Sequence, residues 1–156
     1  MTYNIFISYS SKDLEDAKRI KELLTQIPDA RCFLAETNIL AGSLSQNIIA
    51  AIQQCDLFVV LHSKNSQGSS YVQQEIGAAR MSNKLILPIL LDPEAKPEAM
   101  IKENGYLAFY DPTKKHEEMT KLYNHILKNS KQKANNQALL GIAALFVLAK
   151  LASDEG

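Results

Sequence analysis

The spacing of hydrophobic positions changes several times along the chain, and each change marks an element. Tyr3 to Tyr9 is a short apolar run rich in strand-forming residues. After it Leu14, Ala17, Ile20, Leu23, Leu24 and Ile27 recur at the three-to-four spacing that places them on one face of a helix. Ala30 to Leu34 predicts a second strand, and 35–42, which has no period, a loop. Ser43 with Gln46 has capping-box spacing ahead of Ile48, Ile49 and Ile52, where a serine oxygen accepts from the free N–H groups of a helix start. Leu57 to Leu61 is apolar without interruption, as in a strand covered on both faces of a parallel sheet. A polar loop, Ser63 to Ser69, leads to a second capping-box spacing at Ser70 and Gln73, and to a helix with Val72, Ile76 and Ala79 toward the core. Leu85 to Leu91 predicts the fourth strand. Pro93 and Pro97 break the chain, Leu107 to Tyr110 predicts a short fifth strand, and a last helix runs near Lys114 to Lys128. Such alternation predicts an α/β fold of the flavodoxin-like, three-layer kind, with a five-stranded parallel sheet between helices.

This pattern accounts for a domain over residues 1–128. Residues 129–137, NSKQKANNQ, are polar and unpatterned and predict a linker. From 138 to 152 the chain turns apolar: Ala138 to Ala149 holds no polar side chain, and Lys150, Leu151 and Ala152 follow. As a separate C-terminal helix this stretch spans roughly 22 Å at about 1.5 Å per residue, short of the roughly 30 Å of a bilayer's hydrocarbon core. Lys128, Lys131 and Lys133 suit the cytoplasmic flank of an anchor, with Lys150 snorkelling. A helix apolar on all faces fits burial in an oligomer or on a partner better than a membrane.

Composition narrows the partners. A length of 156 residues with 46% hydrophobic and 22% charged side chains fits one packed globular domain. Seventeen basic residues balance seventeen acidic ones, so no global field favours nucleic acid, and none is expected as a partner. Cys32 and Cys55 lack CxxC spacing and no signal peptide begins at Met1, which predicts a reducing cytoplasm. His116 and His125 sit on the last predicted helix and no Cys or acid recurs at ligand spacing, so no metal is expected.

In an open parallel sheet ligands bind beyond the carboxyl ends of the strands, where the strand order reverses. With the first and third strands as central neighbours, the walls of that crevice are Ser8 to Lys12, Leu34 to Gly42 and His62 to Ser70. Glu75 is the acid nearest this edge on the third predicted helix, about five residues, or roughly 7.5 Å, past its start. Tyr71 precedes it by one turn, so ring and carboxylate share a face. A response regulator would share this strand order, but it needs paired acids after the first strand and an aspartate after the third. Ser8 to Lys12 and His62 to Ser66 hold neither.

Three stretches then match one family in order. Tyr3-Asn-Ile-Phe-Ile-Ser-Tyr-Ser-Ser-Lys-Asp13 resembles the first box of Toll/interleukin-1 receptor (TIR) domains. Phe33-Leu-Ala-Glu-Thr-Asn-Ile-Leu-Ala-Gly42 resembles their BB loop with its terminal small-Gly pair. Leu61-His-Ser-Lys-Asn-Ser-Gln-Gly-Ser-Ser-Tyr-Val-Gln-Gln-Glu75-Ile resembles their serine-rich loop and aromatic-x-x-x-Glu helix start, and LILPILLD, from Leu85 to Asp92, looks like their fourth strand. Each box is weak alone; the ordered set, across about 90 residues, is specific. Tyr71 stands where many relatives carry tryptophan, and Ala35 where they often carry an acid.

The resemblance is to small prokaryotic stand-alone TIR proteins of the NAD-consuming type. It implies an NAD+ nucleosidase or ADP-ribosyl cyclase, cytoplasmic, acting in antiviral defence and innate immune signalling, with Glu75 as its catalytic carboxylate. Breaking the nicotinamide–ribose bond builds positive charge on the ribose, which a fixed carboxylate stabilises. NAD+ is then the substrate, and no cofactor is needed. The same resemblance implies that Phe33 and Tyr71 offer rings to the nucleotide and that Ser8 and Ser10 donate to its phosphate or ribose oxygens. It also implies head-to-tail assembly with other TIR domains, in which the loop carrying Leu40, Ala41 and Gly42 completes a neighbour's pocket. Plainer roles stand beside these: Phe33 as core, Ser8, Ser10 and Ser11 as turn and helix-start acceptors, Cys32 and Cys55 as small buried hydrophobes, and the whole chain as a non-catalytic TIR adaptor.

Overall fold

The computed structural model describes the backbone of residues 2–35, 44–95 and 106–154, and side chains within these as far as residue 136. Five strands, β1 (Tyr3–Ser8), β2 (Ala30–Leu34), β3 (Leu57–His62), β4 (Ile86–Leu90) and β5 (Leu107–Ala108), form one sheet in the order β2-β1-β3-β4-β5. Every pairing is parallel. The helices are α1 (Leu14–Leu24), α2 (Gln46–Gln54), α3 (Lys64–Gln67), α4 (Ser70–Met81) and α5 (Lys115–Asp154), with a 3-10 turn at Ser11–Asp13. This is the expected α/β architecture, and the chain's order reverses about β1, which lies between β2 and β3.

Two apolar layers cover the sheet, and the two-residue period of the strands assigns side chains to them. On one side Ile5, Ile7 and Tyr9 join Leu57, Val59 and Leu61 against Ala17, Ile20 and Leu24 of α1 and Leu122 and Ile126 of α5. On the other, Phe6, Phe58 and Val60 pack against Ile48 and Ile52 of α2 and Val72, Ile76 and Ala79 of α4. All of β3 is buried, as its unbroken apolar run requires. Phe33, Phe6 and Phe58 sit side by side on β2, β1 and β3 and stack as a row, with centroids 5.4 and 5.3 Å apart.

Helix starts differ from the sequence reading by a residue or two. Ser45 caps α2, accepting from Ile48 N at 3.2 Å, and Ser69 caps α4, accepting from Val72 N at 3.3 Å. Ser43 falls outside the described residues, and Ser70 is the first residue inside its helix. The reciprocal capping box belongs to Ser63 and Ser66, which turn part of the predicted polar loop into α3.

The polar stretch 129–137 is helical rather than irregular, because α5 continues without a break from Lys115 to Asp154. Its inward face passes from Leu122 and Ile126 to Ser130 and Lys133, one turn at a time. Ser130 donates to the Pro28 carbonyl at 3.3 Å, while Lys133 Nζ reaches Thr2 O and Asp56 Oδ2, each at 2.8 Å. Asp56 Oδ2 also accepts from Asn4 N, so the lysine ties helix, β1 and the start of β3 together. Among the described residues no helix is long and apolar enough to cross a membrane.

Candidate functional site

Parallel strands point their carboxyl ends to one rim, and there β1 and β3 are adjacent, with Ser8 in register with Val60. Ser8 falls on the same sheet face as Phe6, toward α4. Glu75, in the second turn of α4, also faces inward and is only 1% exposed. The two meet: Ser8 Oγ donates to Glu75 Oε1 at 2.8 Å, across 67 residues of sequence.

The other carboxylate oxygen is unusual. Glu75 Oε2 is buried and has no hydrogen-bond partner among the described residues. Leaving such an acceptor unsatisfied costs about 1–3 kcal/mol, more when charged, so a donor from outside the described residues would stabilise it. Burial pushes the Glu75 carboxyl from the ordinary 4.5 up to about 7, with the Ser8 hydrogen bond pulling the other way. The group is therefore poised to be a carboxylic acid or a carboxylate near neutral pH, the range in which such groups work as acids, bases or charge stabilisers.

The remaining expected site residues separate into two sets. Tyr71, one turn before Glu75, is buried in the α2–α4 layer rather than presenting an open ring. Phe33 remains 40% exposed, with its inner face stacked on Phe6. It borders an open cleft of about 310 Å³ between β2 and α2, lined also by Arg31, Asn47, Ala50, Gln54 and Cys55. Neither Ser8 nor Glu75 lines that cleft. The carboxyl raised toward neutrality and the cleft thus lie apart. Ser10 accepts from Lys12 N at 3.4 Å and caps the 3-10 turn, the role of a turn residue. Leu40, Ala41 and Gly42 lie outside the described residues.

Sequence reasoning passed over Asp13. Its carboxylate is buried at the same rim and accepts from Ser63 Oγ and, at 3.1 Å, from Asn65 Nδ2. This network joins the 3-10 turn after β1 to the start of α3. The only signal for it was the position of Asp13 at the end of the Ser-Ser-Lys-Asp turn. His62 is buried and meets Gln67 Nε2 at 3.2 Å. Cys32 and Cys55 are free, buried thiols, each pushed up to about 11 by burial, and so unreactive. Among the described residues no group of three His, Cys, Asp or Glu side chains is placed to hold a metal ion.

A family model described as TIR domain matches residues 5–123 of the chain. Among solved structures, the TIR domain of the Toll-related receptor TRR-2 from Hydra magnipapillata is similar at a TM-score of 0.64 and 20% identity, over 80% of this chain and 98% of that one. The CMP N-glycosidase BcmB of Clostridium botulinum is similar at 0.52 and 19%, over 78% and 98%. The TIR domains of the activated Roq1 resistosome, which recognises the pathogen effector XopQ, are similar at 0.53 and 15%, over 83% and 84%. At these identities the likeness is one of fold. No curated protein matches the chain significantly in sequence.

Proposed function

From the premise that this chain belongs to the TIR domain family, whose model covers residues 5–123, we propose that it cleaves the nicotinamide–ribose bond of NAD+. The observation that carries this reading is the buried Glu75, one oxygen held by Ser8 and the other without a partner among the described residues. As the C1′–N bond breaks, its electron pair leaves with nicotinamide, which becomes neutral, and positive charge passes to the ribose ring. A carboxylate in a low-dielectric setting stabilises that charge far better than water does. A ribose hydroxyl supplies the donor that Oε2 lacks. The cationic pyridinium ring favours the ionised form of a carboxyl that burial holds near neutrality, so substrate arrival itself promotes proton release. Attack at C1′ by water, with loss of a proton, gives ADP-ribose; attack by a nucleophile of the same molecule gives a cyclic isomer.

The structural likeness to a CMP N-glycosidase supports this reading as a case of N-glycosidic cleavage on a similar backbone. The likeness to TIR domains of a resistosome supports a working form that is an assembly. In the proposed head-to-tail homo-oligomer, residues 35–43 of one copy complete the site of the next, and Phe33 offers its outer face to the nucleotide. The setting proposed is cytoplasmic antiviral defence. A second reading, a non-catalytic adaptor acting by TIR–TIR assembly, is favoured by the depth of Glu75, since a wholly buried acid can also serve packing alone.

Incubating concentrated protein with NAD+ under crowding, and following nicotinamide by chromatography, separates the two. Nicotinamide release that falls at least about 100-fold in Glu75→Ala is the expected result. Equal release by the variant refutes the role of Glu75, and no release by the native chain leaves the adaptor.

A further inference from the structure

We infer that Ser8 is the positioning residue of Glu75 and not a contact for substrate: it holds Oε1 in place and leaves Oε2 as the oxygen that meets the ribose. This inference rests on the reading of Glu75 given above. A serine hydroxyl has one hydrogen to donate, and that of Ser8 is committed to Glu75 Oε1 at 2.8 Å. A phosphate or ribose oxygen therefore gains that hydrogen only by displacing the carboxylate. Its place is set by the sheet: Ser8 is the last residue of β1, in register with Val60 of the central β3, and the two-residue period turns it to α4 while Ile7 and Tyr9 turn away. The carboxylate is thereby tied to the middle of the sheet.

No other described group does this work. α2 carries no charged residue. On β1 the titratable Tyr3 lies at the far end, and on β3 His62 meets Gln67 of α3. Lys64 of α3 is exposed and paired with Glu94. Tyr71 and Arg80 of Glu75's own helix do not contribute to its shift, which comes from burial and then from Ser8. Ser8 is thus the described donor that favours the charged carboxylate, and without it the carboxyl's protonation midpoint moves further up.

The test uses the full chain with Ser8→Ala and Ser8→Thr. In Ser8→Ala, kcat for nicotinamide release is expected to fall about 10- to 100-fold with KM within about threefold, and the acid limb of the pH–rate profile to move to higher pH. Ser8→Thr, which keeps the hydroxyl, restores most of kcat. A KM raised about tenfold at unchanged kcat, or an unmoved acid limb, overturns the inference in favour of a substrate contact. A readout independent of activity is the carboxyl carbon resonance of Glu75, assigned by its loss in Glu75→Gln and titrated by NMR. Its midpoint is expected to be higher in Ser8→Ala than in the native chain, and equal midpoints overturn the inference. Absence of nicotinamide release from the native chain removes the NAD+ reading instead, and leaves this titration to decide the role of Ser8.

Discussion

At the scale of single residues, the burial that raises the Glu75 carboxyl sets a pH signature on folding. The folded carboxyl keeps its proton to about pH 7, whereas an unfolded one releases it near 4.5. Between those values the folded state binds more protons, so stability falls as pH rises through the window and is flat below it. The full loss corresponds to roughly 3 kcal/mol. Glu75→Gln keeps the shape and removes the ionisation. It is expected to match the native chain in urea unfolding at pH 4 and to exceed it by up to about 3 kcal/mol at pH 8. Parallel pH dependence in the two proteins would show that the acid does not stay protonated when folded. Glu75 was singled out by its place in a motif, but its partner was not: Ser8 stood out as a polar residue at a strand end, without any sign of which atom its hydroxyl would meet.

At the scale of elements, hydrophobic period identified the strands and the helices of the domain because their buried faces are regular. β2 runs over Ala30–Leu34 as its apolar content implies, and β3 gains only His62. Helix starts were less legible. Serines crowd both regions, and the one that caps is the one whose backbone is extended, as at Ser45 (φ −68, ψ 156) and Ser69 (φ −90, ψ 110). Spacing alone does not reveal that. Two helix-to-strand turns depend on residues with positive φ, Asp29 at 63° and Asn83 at 53°. Asparagine tolerates this conformation and a β-branched residue does not. Asn83→Gly should therefore leave the urea midpoint nearly unchanged, while Asn83→Val should cost about 1–2 kcal/mol. Equal stability of the two variants would mean that the turn relaxes.

At the scale of the whole molecule, the sheet order places the ends of β1 and β3 side by side, and α5 closes the other layer. Its polar residues 130 and 133 carry on the work of Leu122 and Ile126 by tying to Pro28, Thr2 and Asp56. Partly buried pairs of this kind are worth more than exposed ones such as Lys64 with Glu94. A chain ending at 136 is expected to melt close to the native temperature, and one ending at 128 roughly 5 °C lower. Identical melting would show the Ser130 and Lys133 contacts to be idle. By sedimentation, ending at 136 should also alter self-association, since the removed segment holds the apolar run from Ala138 to Ala149; an unchanged profile would exclude that run from assembly.

What the amino-acid order determined alone is the alternation of elements, the parallel sheet and the family, because each is written in local periods and in motifs a few residues long. What only the tertiary structure decided is pairwise: Ser8 with Glu75, Asp13 with Ser63 and Asn65, Lys133 with Asp56. Such contacts join residues some fifty or more positions apart. No local pattern encodes them, since a hydrogen bond depends on where two strands or helices bring their side chains and on the water they exclude. The reach of α5 through 129–137 is of the same kind: a polar stretch without Gly or Pro carries no stop signal, and its inward face becomes visible only against the surface it meets.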